Sequence, residues 1–203
     1  MKVIPIRYED ITKWLLLRHY ASRIPSISFA FGLVIDHDLQ GICTFGVPAS
    51  PSLCKGICGN EYKDLVLEFN RLCIENNAPL NSASYLIGRS IRQLPYPRIL
   101  VSYADTGQGH VGYVYQATNW LYTGLTKERT DIFTGEGKHS RHYIKGDDYS
   151  KRQFRTAKHR YIYFHKCSKV IKNRLKYPCS PYPKGDTLRY VADADISKQG
   201  ILV

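Results

Sequence analysis

The chain has 203 residues, of which 43% are hydrophobic and 12% aromatic, and a net charge of +12. This allows one domain, or one domain with an appendage, and enough apolar material for a core without disulfide staples. Apolar runs such as 14–17 and 27–35 are too short or too interrupted to cross a bilayer, and MKVIPIRYED lacks the apolar stretch of a secretory signal. Six cysteines without regular spacing point to a reduced, intracellular chain, and Cys54 and Cys58, with no second pair to complete a zinc site, read as buried thiols.

In chain order, residues 2–7 suit a short strand. Residues 9–20 place Ile11, Trp14 and Leu15 at helical spacing. Residues 27–35 and 41–47 are β-rich and joined by DHDLQ, a hairpin turn. Residues 48–60, with Pro48, Pro51, Gly56 and Gly59, are expected to be a loop. Residues 65–74 read as a strand, and 81–94 as a helix stopped by Pro95 and Pro97. A buried strand over 98–104 leads into a glycine-rich turn, a short helix over 109–118 and a strand over 120–126. The expected fold class is α+β or α/β: a mixed central sheet flanked by helices, with a strand–helix–strand unit supplying a parallel pair. Ligands of such sheets bind beyond the carboxyl ends of the strands.

The charge is uneven. Residues 1–126 hold 11 Lys and Arg against 9 Asp and Glu, whereas 127–190 hold 17 against 6. The basic stretch also carries Tyr143, Tyr149, Phe154, Tyr161, Tyr163 and Phe164. Cations for phosphates interleaved with rings point to double-stranded DNA or another nucleic acid as partner, against the blander reading of a solvated basic face over an aromatic core. Arg141, His142, Lys151, Arg152, Arg155, Lys158 and Arg160 are the candidate phosphate contacts. The chain accordingly divides into a catalytic core, 1–126, and a basic region, 127–203, that completes the sheet and contacts DNA.

Two strand ends carry chemistry. Asn81, Ser82 and Ser84 open a helix whose free N–H groups favour an anion, and Arg71 on the preceding strand could share it; an ordinary helix cap is the competing reading. Asp105 ends the second strand, and His110 follows across glycines that permit close approach of a ligand. Asp and His serve proton transfer or an open metal site equally. His19 and Tyr20, after the first helix, offer a third group. Tyr115 on the short helix either orients a base or satisfies a buried polar group.

GICTFGVP, LEFNRLCI, NSASYLIG, ILVSYAD and GHVGYVYQATNW follow one another in the order and at about the spacing of the Mom DNA-modification proteins of bacteriophages. The resemblance covers about 14–126. It implies a GNAT-like acetyltransferase fold with a basic C-terminal extension, located in the host cytoplasm and compatible with a homodimer. It also implies transfer of a carbamoylmethyl (acetamido) group to adenine N6 in duplex DNA, protecting viral DNA from restriction. The family's His-Tyr pair falls on His19 and Tyr20, its strand-end acid on Asp105 and its helix tyrosine on Tyr115. Its coenzyme positions fall on Arg71 and Ser84. The resemblance brings acetyl-CoA or a related donor and iron as cofactors. Because the product joins nitrogen to a methylene carbon rather than to a thioester carbonyl, iron held by His19, Asp105 and His110 is an expected activating group. Phe69 stands where the family often has leucine, and the usual Q/R-x-x-G-x-G/A phosphate loop is replaced by NSASYLIG. Two other readings remain: a GNAT acetyltransferase acting on a protein or small-molecule amine, and a non-catalytic DNA-binding protein.

Overall fold

A computed structural model describes residues 1–19, 21–132, 152–185 and 201–202. Arg141, His142, Lys151 and Tyr20 lie outside the described residues.

Apolar alternation produces seven strands in the order β1-β2-β3-β4-β5-β9-β6. β1 is Lys2–Pro5, β2 Phe29–Ile35, β3 Asp38–Gly46, β4 Val66–Ile74, β5 Arg98–Asp105, β6 Leu121–Leu125 and β9 Lys158–His165. Every pairing is antiparallel except β4 with β5. Asp36 and His37 close the β2–β3 hairpin with positive φ at both positions, the backbone that matches strand twist. A second sheet sets β7 (Arg129–Ile132) and β8 (Arg152–Arg155) as an antiparallel pair, with β10 (Ile201–Leu202) beside β8. β9 comes from the basic region yet lies inside the main sheet, between β5 and β6.

Helices cover both faces. α1 (Tyr8–Leu17) buries Ile11, Trp14 and Leu15 against Ile42 and Cys73. α2 (Pro51–Cys58) packs Cys54, Ile57 and Cys58 on Val66, Ile99, Val101 and Ile162 of the same face. On the opposite face α3 (Ser82–Gln93) buries Leu86, Ile87 and Ile91 among Phe45, Phe69 and Leu100, and α4 (Tyr113–Ala117) adds Tyr115. α5 (Lys169–Asn173) follows β9 and joins the α2 cluster through Ile171.

Three expectations are corrected. The loop expected over 48–60 contains α2: Ser50 accepts the Leu53 N–H, Pro51 occupies the first turn, and these are helix-starting rather than helix-breaking positions. Gly56, read as a breaker, sits where a Cβ would lie 2.9 Å from the Tyr177 hydroxyl. The helix expected over 109–118 is only α4, because Gly112 just before it has φ +81° and a Cβ there would meet Tyr161 at 2.5 Å. Asn81 does not enter its helix; it is left-handed, φ 66°, ahead of Ser82. All six cysteines are free thiols, five of them buried.

Candidate active site

β4 and β5 pair only from Val66–Ile99 to Glu68–Val101. Past that point β4 keeps its β3 partner but has no β5 partner, so the two strands part at their carboxyl ends. A register shift leaves Asn70 unpaired between Phe69 and Arg71, a bulge of the kind that re-aims side chains beside sites. Asn70 is held there by Thr44 Oγ1 at 2.6 Å and the Ser26 carbonyl at 2.8 Å. Where the strands part, Ser102 Oγ lies 2.8 Å from both the Phe69 carbonyl and the Tyr115 hydroxyl. With one proton to give, Ser102 donates to the carbonyl and accepts from the tyrosine.

Asp105 ends β5 and is 2% exposed. Its Oδ1 accepts the Gly107 N–H at 3.0 Å and the Thr156 hydroxyl, and its Oδ2 takes the Lys158 ammonium. Burial alone would raise this carboxyl; Lys158 and the Thr156 and Gly107 hydrogen bonds outweigh it and hold the group below the ordinary carboxylate range. The His110 N–H donates to the Asp105 carbonyl at 3.1 Å. Burial lowers the His110 imidazole while the Asp105 charge pulls the other way.

His19 follows α1 and is 5% exposed. Burial first, then Arg71, Arg23 and His110, lower its pKa to about 3, so the ring is neutral at physiological pH. Its Nδ1 accepts the Ala21 N–H at 3.1 Å, which assigns the ring proton to Nε2. His110 is thus within electrostatic reach of both His19 and Asp105. Strand alternation puts Asp105 on the face of Val101 and Tyr103, the α2 side. Arg71 shares the α1 side with Cys73, donating to the Asn70 and Arg23 carbonyls at 2.6 and 3.5 Å. His19, Asp105 and Arg71 therefore share one face, while Tyr115 lies on the other.

The expected coenzyme cradle is divided. Arg71 stands with His19, whereas Ser82 and Ser84 lie with α3 across the sheet. Ser82 is buried, its hydroxyl 3.9 Å from Met1 Sδ, and Ser84 bonds the Asn81 carbonyl at 3.0 Å. The donor set does not fit iron. Both Asp105 oxygens are engaged, the lone-pair nitrogen of His19 accepts a backbone N–H, and among the described residues no three His, Cys, Asp or Glu side chains gather as a metal needs.

Of the expected DNA contacts, Arg152 is exposed on β8 and bonds Thr130. Arg155 pairs with Asp131 at 3.1 Å. Arg160 bonds Thr123 at 2.8 and 2.9 Å and lies 3.5 Å over the Tyr177 ring. Sequence reasoning missed Thr156, Lys158 and Ser102 as partners of the site. One signal was present: in KHRYIYFH, Lys158 has the same strand parity as the buried Ile162, which turns it toward a packed face.

A mixed sheet with one parallel pair, parted at its carboxyl ends, and α3 crossing between the two strands is the GNAT-like acetyltransferase fold. The protein yncA from Salmonella typhimurium, with its cofactor acetyl-CoA, matches with a TM-score of 0.50 at 8% identity, over 83% of this chain and 95% of that one. An N-acetyltransferase from Staphylococcus aureus Mu50 matches with a TM-score of 0.48 at 15% identity, over 81% and 98%. The profile of the Mom protein family matches residues 1–184, and the chain belongs to that family. It is 27% identical over 202 residues to methylcarbamoylase mom of Escherichia phage Mu, covering 88% of this chain and 84% of that protein. Among the described residues no helix is long and apolar enough to cross a membrane.

Proposed function

We propose that this chain is a DNA-modifying transferase that attaches a carbamoylmethyl group to adenine N6 in duplex DNA and so shields viral DNA from host restriction. The observation that carries this reading is that His19 and Asp105 share one face of the sheet, Asp105 being held by Lys158 at the start of β9 just beyond the basic β7–β8 pair, with His110 anchored by its backbone N–H to the Asp105 carbonyl. The chain's family includes the methylcarbamoylase of phage Mu, which supplies the reaction class.

Adenine N6 is a weak nucleophile, because its lone pair is delocalised into the ring. Reaching it in a packed site requires flipping the base, at a cost of about a few kcal/mol. Exposed cations of the hairpin, Arg129 and Arg152, with the basic residues between β7 and β8, would offset that cost on the phosphates. An ionised Asp105 beside a neutral His110 suits uptake of the proton that N6 sheds. His19, neutral and with its proton on Nε2, suits hydrogen-bond donation to the base or the donor. The Tyr115 hydroxyl stands at the parting of β4 and β5. The side of β4 past Glu68, where β5 has parted from it, fits an amide-bearing arm such as that of acetyl-CoA or a related donor, with Arg71 as the candidate hold on that face. The donor would supply a carbamoylmethyl unit bearing a leaving group on its methylene carbon, so that the N6–carbon bond forms as that group departs with its electron pair and N6 gives up a proton.

The test is nucleoside mass spectrometry of DNA from cells expressing the chain, beside an Asp105→Asn control. Carbamoylmethyl-adenine is expected with the wild type and is expected to fall at least about 100-fold in the control. Unmodified DNA together with acetyl transfer from acetyl-CoA to an amine would replace this reading with an ordinary acetyltransferase.

A further inference from the structure

By charge alone Lys158 is one more cation of the basic region. We propose instead that Lys158 is a positioning residue, which locks the root of the basic hairpin onto Asp105 and is not a phosphate contact. The inference rests on the reading of Asp105 as the acid of the site.

Lys158 is the direct partner of Asp105 across the β5–β9 ladder, and its ammonium bonds Oδ2 while the side chain remains only 33% exposed. The two residues before it grip the same turn. Thr156 bonds Oδ1, and the Ala157 carbonyl accepts the Thr106 N–H at 3.2 Å and its hydroxyl at 2.7 Å. The Lys158 backbone closes the other side, exchanging bonds with Thr126 at 2.9 Å in each direction. Three consecutive residues, the two that join β8 to β9 and the first of β9, therefore fasten the β7–β8 pair to Asp105 and the turn after it. Drawing the ammonium away to a phosphate would leave a buried carboxylate unpaired, a state far costlier than the loss of one surface contact. Arg152 and Arg129 carry no such obligation to a buried acid.

The experiment compares Lys158→Met, Lys158→Arg and a distant control, Lys13→Met. In Lys158→Met, kcat is expected to fall at least about tenfold, with KM for duplex DNA and the salt slope of binding unchanged. Lys158→Arg is expected to recover most of the loss. Amide exchange at Gly107 and Thr106 is expected to quicken in Lys158→Met and not in Lys13→Met. A salt slope reduced by about 0.9, the value for one lost phosphate contact, with Gly107 exchange unchanged, overturns the proposal. If the wild type leaves DNA unmodified, the functional reading fails and the exchange data still decide this one. If Lys158→Met does not fold, Thr156→Val decides: faster Gly107 exchange supports the latch, and unchanged exchange overturns it.

Discussion

His19 is buried beside Arg71 and Arg23, and the consequence is measurable. In the unfolded chain its imidazole titrates near 6.5, and in the folded chain near 3. Between those values the unfolded state binds the extra proton, so stability falls as pH falls, by about 1.4 kcal/mol per pH unit while His19 dominates. Above 6.5 this contribution is complete and flat. His19→Gln, which cannot charge, should flatten the slope of unfolding free energy between about pH 6 and 4. Urea melts at each pH check this, and a slope equal to that of the wild type would assign the acid sensitivity to His110, His159 or His165, whose burial shifts them the same way. The sequence made His19 and Asp105 legible as candidates because a histidine after an amphipathic helix and an acid after an apolar strand stand out. It hid their partners: the Asp105–Lys158 pair spans 53 residues, and only strand register brings it together.

At the level of elements, β4, α3 and β5 were legible because each carries its own period and stop signal. α2 was missed because Ser50-Pro51 and Gly56 resemble loop punctuation until the sheet face that the helix covers is known. The β7–β8 hairpin depends on pairing alone, and it offers a clean dissection. Ile132 and Arg152 are direct partners, so Asn-Gly in place of residues 133–151 closes the pair with a two-residue turn. Four cations leave with the segment: Lys138, Arg141, Lys145 and Lys151. The Thr156–Lys158 latch and all of the main sheet remain. The shortened chain should melt within a few degrees of the wild type. Its affinity for duplex DNA should lose salt dependence by about 0.9 in log–log slope for each phosphate contact removed. Titrations at a series of salt concentrations measure this, and an unchanged slope would move the DNA surface elsewhere.

Over the whole molecule, the change in charge at about residue 126 invites the idea of a separable catalytic core, and the sheet argues against it. β9 lies between β5 and β6, pairing with β5 over all eight of its residues. Tyr161, fully buried, packs with Phe69, Tyr115 and Trp120 on the α3 face, while Ile162, also fully buried, packs with Val66, Ile99 and Val101 on the α2 face. Beyond β9, Ser180 N–H bonds the Tyr122 carbonyl at 3.0 Å and Tyr182 bonds the Trp120 carbonyl at 2.8 Å, fastening β6 from outside. Residues 1–126 alone would expose both flanks of that gap and leave Asp105 buried without its cation. Expressed by itself, this fragment should show no cooperative melt and should bind a hydrophobic dye, the marks of collapse without packing. The full chain cut at an engineered protease site between 133 and 151 loses none of those contacts, so the two pieces should stay associated and melt close to the intact protein. Calorimetry on both samples separates the cases: a cooperative transition in 1–126 would make β9 an ornament of the sheet, whereas its loss there and survival in the cut chain would make the basic region part of the fold that builds the site.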